Sequence, residues 1–117
     1  MGIKQSDDLE ELKQTIWVIV SQIARHDFSG MARHTHNNTI TPEVIQQEMD
    51  SFRHGFSDFP IDQMDAINII EYADGLGYSV DAPLWESPTK QSDLTVIFHV
   101  TRQKSNWVIS IQDVHVL

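Results

Sequence analysis

The run Asp93-Leu94-Thr95-Val96-Ile97-Phe98-His99-Val100, the polar break Thr101-Arg102-Gln103-Lys104-Ser105-Asn106, and the run Trp107-Val108-Ile109-Ser110-Ile111-Gln112-Asp113-Val114-His115-Val116-Leu117 decide the fold. Two β-branched and aromatic runs with period-two alternation around a short polar break are the signature of a β-hairpin. Leu94, Val96, Phe98 and Val100 share one face, because successive strand side chains point to opposite sides. The second run changes phase: Trp107, Ile109 and Ile111 alternate on odd numbers, Val114 and Val116 on even ones. A β-bulge at Gln112-Asp113 restores a single apolar face. With a four-residue turn at Arg102 to Ser105, the expected register sets Val100 against Trp107, Phe98 against Ile109 and Val96 against Ile111. Beyond the bulge it sets Leu94 against Val114 and Asp93 against His115.

Upstream of the hairpin the patterning is helical. Ser6 is a good N-cap, acids follow in the first turn, and Leu9, Leu12, Ile16, Ile19 and Ile23 recur at spacings of three and four. This predicts an amphipathic helix from about Asp7 to Arg25. His26 to Asn38 reads as a connecting loop. Its His34 and His36 could ligate a metal, but no carboxylate is fixed beside them, so no metal is assigned. Thr41-Pro42-Glu43 starts a second helix running to about Phe52 or Arg53. Asp62 to Ala73 predicts a third, with Met64, Ile67, Ile70 and Ala73 as its stripe and Gly75 or Gly77 as its stop. Tyr78-Ser79-Val80-Asp81 suits a strand that Pro83 to Pro88 interrupts or prolongs. The expected class is α+β, three N-terminal helices on a small antiparallel sheet that ends in the long hairpin.

A chain of 117 residues supports one domain, residues 1–117, with one core. The absence of cysteine rules out disulfides and zinc–thiolate sites and points to the cytoplasm. Neither a membrane-spanning run nor a signal-peptide pattern is present. Net charge is −9 and uneven: residues 43–93 carry eleven acids against Arg53 and Lys90. Such a segment repels nucleic acid and anionic membranes and attracts basic partners.

There is no phosphate loop, nucleophile elbow or HExxH motif, and no cofactor is implied. The best polar group is Asp93, Thr95, Asp113 and His115, at one end of the hairpin and opposite its apolar stripe. A carboxylate beside a histidine can orient it as a general base. The plainer role is a cross-strand pair that pins the register. No catalytic residue is assigned. Phe56 and Phe59 either plug the helix ends into the core or stand as exposed anchors for a partner.

Trp85-Glu86 followed by Ser92-Asp93-Leu94-Thr95, and the closing Ile111-Gln112-Asp113-Val114-His115-Val116-Leu117, resemble an uncharacterised family of small bacterial domains. That family has a tryptophan strand, a Ser-Asp-Leu-Thr strand and an end close to Ile-Asp-Asp-Ile-His-Val. The Thr41-Pro42-Glu43-Val44-Ile45 start fits as well, so the resemblance spans roughly the last two thirds of the chain. Gln112 departs from the usual first Asp of the closing motif, and Ser87-Pro88-Thr89-Lys90 is an insert. No reaction is assigned to the family, so the resemblance implies a fold and no catalytic residue. By size and acidity the chain also resembles immunity proteins encoded beside secreted toxins, including those of contact-dependent growth inhibition. That likeness is one of type, not of motif.

The expected function is therefore a non-enzymatic immunity protein, bound to a cognate basic, nuclease-type toxin domain and to neither nucleic acid nor membrane. The expected binding surface is the acids and aromatics of the middle segment: Phe56, Asp58, Phe59, Asp62, Asp65, Trp85 and Glu86. The alternatives are a small enzyme or ligand-binding domain using Asp93, Asp113 and His115, and a structural accessory domain.

Overall fold

A computed structural model describes residues 2–104 and 106–116, with side chains from Asp8 onward. Helix α1 spans Gly2–Ala24. Its Leu12, Ile16, Ile19, Val20 and Ile23 are all at most 1% exposed, as the three-and-four spacing requires. The helix begins upstream of Ser6. Ser6 is therefore an interior residue of α1 and not its N-cap, and Asp7 lies beyond the first turn; the turn residue Ser105 and the closing Leu117 lie outside the described residues. At its other end α1 closes in a Schellman arrangement. The Asp27 N–H donates to the Gln22 carbonyl (2.8 Å) and that of His26 to the Ile23 carbonyl (3.0 Å). His26 holds the left-handed position there, φ +61°, where glycine is usual.

The expected loop from His26 to Asn38 contains a second helix, α2 (Phe28–His34). Asp27 caps it by accepting the Gly30 N–H at 3.0 Å, and Met31 anchors it, 1% exposed. A short helix with one anchor has no periodicity to read. Helix α3 (Pro42–Asp50) starts as the sequence predicts, Thr41 Oγ accepting the Val44 N–H at 3.3 Å. Ile45 and Met49 face the core while Val44 is 41% exposed. The helix stops two or three residues short of the expected Phe52 or Arg53.

The third helix expected over Asp62 to Ala73 does not form. A short 3₁₀ segment, Ile61–Ala66, leads into strand β1 (Asn68–Glu71). Ile70 and Ala73 of the supposed stripe are exposed, whereas Ile67 is buried and Ile69 packs on the core. Period two has won over period three. The three N-terminal helices are thus α1, α2 and α3, and the sheet has four strands.

Strands β2 (Tyr78–Ser87), β3 (Lys90–Gln103) and β4 (Asn106–Val116) complete an antiparallel meander in the order β1-β2-β3-β4. The Pro83 to Ser87 stretch prolongs β2. Ladder alternation points the N–H of odd residues of β2 towards β1, which ends opposite Asp81. Pro83 therefore lacks a donor where no strand is waiting for one. Gly77 enters β2 beside β3, and a Cβ there would run into the Val100 carbonyl oxygen.

The hairpin has the expected bulge and a different register. Ile97 faces Asp113 and Phe98 faces Ile111, which leaves Gln112 over. Val100 faces Ile109 rather than Trp107, Val96 faces Val114, and Leu94 faces Val116. The ladder runs on to Gln103–Asn106, so the strands extend past the expected four-residue turn, with Lys104 at φ +57°. Two further cross-strand pairs are gained. Arg102 now faces Trp107 and sets its guanidinium 4.7 Å from the indole centre, while its Nη1 contacts Asp8 of α1 at 2.8 Å.

The helices cover one face of the sheet. Val80, Ala82, Leu84, Leu94, Val96, Phe98, Val100, Ile109, Ile111 and Val114 join α1, Ile45 and Met49 in one core. The outer edge of β4 is closed by the segment after α2. The His36 N–H donates to the Ile109 carbonyl (2.8 Å), and the Thr39 N–H to that of Ile111 (2.9 Å). Asn38 Oδ1 accepts the Ile111 N–H at 2.7 Å.

Candidate surface for a basic partner

The residues expected to bind a partner fall into two sets. Phe59 and Trp85 are corrected: they are core residues, 2% and 6% exposed, packed edge to face with centroids 5.6 Å apart. Residues flanked by polar neighbours in sequence can still be buried, because a turn points each side chain independently. The Phe59 carbonyl accepts the Trp17 indole N–H at 2.6 Å, tying the loop to α1. The indole nitrogen of Trp85 is buried with no hydrogen-bond partner among the described residues. Phe56 is half-buried, edge-on to Phe52 at 5.5 Å. Neither Phe59 nor Trp85 can anchor a partner.

Asp58 is exposed but already engaged. Arg25 holds it in a two-pronged ion pair, with Nε to Oδ1 at 2.8 Å. The guanidinium hydrogen bond keeps the Asp58 carboxyl below the usual carboxylate range. Glu86 likewise meets Lys90 at 3.1 Å. Asp62 and Asp65 are exposed on the 3₁₀ segment and make no ion pair among the described residues.

The Ser57 N–H donates to the Trp85 carbonyl at 2.8 Å, placing this loop beside the far half of β2. The near half of β2 is covered by β1. The segment from the 3₁₀ helix to the β1–β2 turn exposes three large apolar side chains, Ile61 (68%), Ile70 (51%) and Leu76 (74%). Exposed Asp62, Asp65, Glu71 and Asp74 lie among them, and no lysine or arginine occurs from residue 54 to 89. Ile61, Ile70, Leu76, Glu71 and Asp74 are not among the residues expected from sequence; for Ile70 and Glu71 the reason is that a strand forms where the spacing predicts a helix. The run of acids without a cation was the available signal.

The alternative polar group is partly assembled. Asp113 Oδ2 and His115 Nδ1 are 2.8 Å apart on the face of the sheet away from the helices, both substantially exposed. His115 faces Thr95, not Asp93, because the ladder is shifted by two residues from the expected register. On the same face Tyr72 Oη lies 2.6 Å from His99 Nδ1, the two rings stacked. Burial and the nearby Asp74 push the Tyr72 phenol up from its usual value. Among the described residues no group of His, Asp and Glu is arranged to hold a metal. His34 is occupied locally, its Nδ1 3.0 Å from the Gly30 carbonyl. An open cleft of about 560 Å³ lies between α1, the end of α2 and the hairpin tip, lined by Arg33, His34, His36, Lys104 and Trp107 among others. It is remote in sequence from the acidic segment.

No helix of the described residues is long and apolar enough to cross a membrane. No curated protein and no solved structure matches the chain. One family model does match, described as a domain of unknown function, over residues 20–117, from the second half of α1 to the end of the chain. With that share covered, the chain belongs to the DUF7668 family.

Proposed function

We propose that this domain is a non-catalytic binding module that engages a basic protein, and that its specific role is to neutralise a cognate nuclease-type toxin. One observation carries the reading. Along the chain, Asp62, Asp65, Glu71 and Asp74 are interspersed with the exposed Ile61, Ile70 and Leu76 in a stretch without lysine or arginine. Exposed apolar side chains supply contact area, and nearby acids speed and select the approach of a basic partner. Nuclease domains are basic because they hold phosphates, so they match these charges.

The test is co-expression with the C-terminal domain of the secreted protein in the neighbouring reading frame. Rescue of growth, and a purified complex whose association slows as salt rises, support the role. A neighbouring frame that encodes no toxic domain, or a toxic domain that forms no complex with this chain, overturns it.

A further inference from the structure

Strand β1 is an edge of the sheet, and among the described residues no backbone pairs with its outer side. The Tyr72 N–H donates to the Gly77 carbonyl at 2.9 Å, closing the β1–β2 hairpin. In an antiparallel ladder the hydrogen-bonded residues alternate, so Tyr72, Ile70 and Asn68 direct their backbone groups to β2. Ile69 and Glu71 then direct N–H and C=O outward, and no described residue takes them. The opposite edge, β4, is capped by His36, Asn38 and Thr39. Among the described residues, the β1 edge is without such a cap.

We infer that the β1 edge receives an extended, basic segment of the protein partner as a fifth strand. This rests on the reading of the domain as a binder of basic proteins and specifies how it binds. An added strand takes up the outward groups of Ile69 and Glu71, the main-chain source of affinity in strand addition. Its side chains alternate between the face that carries Ile70 and the face that carries Ile69 and Glu71. Charge decides the occupant. A second copy would bring Glu71, Asp74, Asp62 and Asp65 against their own kind, and acidic, short edges are how proteins bar self-pairing. A lysine- or arginine-rich strand meets complementary charge at the same place.

A lysine–valine alternating hexapeptide serves as the probe, with its glutamate–valine counterpart as control. Binding of the first alone, with amide exchange of Ile69 and Glu71 slowed at least about tenfold and that of Ile70 unchanged, is the expected result. Glu71→Pro removes an outward N–H that β2 does not use, so it should abolish binding while Glu71→Gln only weakens it. A lysine–valine peptide N-methylated on its pairing edge poses the same question without altering the protein, and should not bind. If the unmodified peptide binds in a salt-dependent way but protects neither amide, and Glu71→Pro binds like Glu71→Gln, edge pairing is wrong and the acidic-surface reading stands. If it does not bind at all, both are overturned.

Discussion

Phe98 of β3 lies opposite Ile111 of β4, and its neighbour Ile97 lies opposite Asp113, so Gln112 is the one residue without a partner. That single extra residue lets the odd-numbered Ile109 and Ile111 and the even-numbered Val114 share the helix-covered face. Deleting Gln112 leaves Ile111, Asp113 and Val114 in regular alternation, Asp113 still opposite Ile97 and Val114 still opposite Val96, so it should cost less than about 1 kcal/mol. Deleting Ser110 from the same strand instead takes Ile109 or Ile111 off the core face and should cost at least about 2 kcal/mol. Urea titration of the two variants compares them directly, and equal midpoints would mean the bulge is not what sets the phase.

Phe98 itself is fully buried at the centre of the sheet. Phe98→Ala should lose about 3–5 kcal/mol, transfer and cavity terms together. A loss below about 1 kcal/mol would remove Phe98 from the core.

Trp85 offers a contrast, since its buried indole nitrogen has no acceptor among the described residues. Trp85→Phe keeps most of the ring against Phe59 and deletes an unsatisfied donor. It should fall within about 1 kcal/mol of the parent, while Trp85→Ala should lose about 3–5 kcal/mol. A large loss on Trp85→Phe would show that the N–H is satisfied after all.

The Arg25–Asp58 pair gives stability a small pH dependence in the acid range. Its carboxyl titrates lower when folded than the usual 3.8, because Arg25 hydrogen-bonds the charged form. The contribution is therefore present above the unfolded value and is lost as pH falls through the folded one. Between about pH 5 and about pH 3 the parent should lose slightly more stability than Asp58→Asn, and high salt should shrink the difference, since the pair is exposed. Identical pH profiles for the two proteins would discount the pair.

Association with a basic partner should depend on Asp62, Asp65 and Asp74 more than on Asp58, whose charge Arg25 already meets. Replacing those three with Asn should slow association and flatten its salt slope, with the fold unchanged. Asp58→Asn should alter the rate little. Stopped-flow mixing over a salt series measures both, and a stronger effect from Asp58 would move the surface towards the end of α1.

The chain by itself determined the elements with a long period or a strong cap. Alternation from Leu94 to Val100 and the phase change after Ile111 specify two strands and a bulge. The spacing from Leu12 to Ile23 specifies α1, and Thr41-Pro42 the start of α3. These are local effects of side-chain direction and backbone satisfaction, and they hold before any tertiary contact forms. Tertiary structure decided what short segments could not. Ile67 and Ile69 fit a helix or a strand until β2 offers its backbone, and four residues of β1 have no preference strong enough to resist it. The hairpin register moved by two because the ladder continues to Gln103 and Asn106 and sets Arg102 over Trp107, with Asp8 of α1 within reach. Asp93 consequently lost His115 to Thr95. Phe59 and Trp85 went inside because the loop folds back onto β2 and Trp17 holds the Phe59 carbonyl. What remained outside, the apolar side chains and acids around the open edge of β1, follows from which strand came last in the sheet, and spacing along the chain does not encode that.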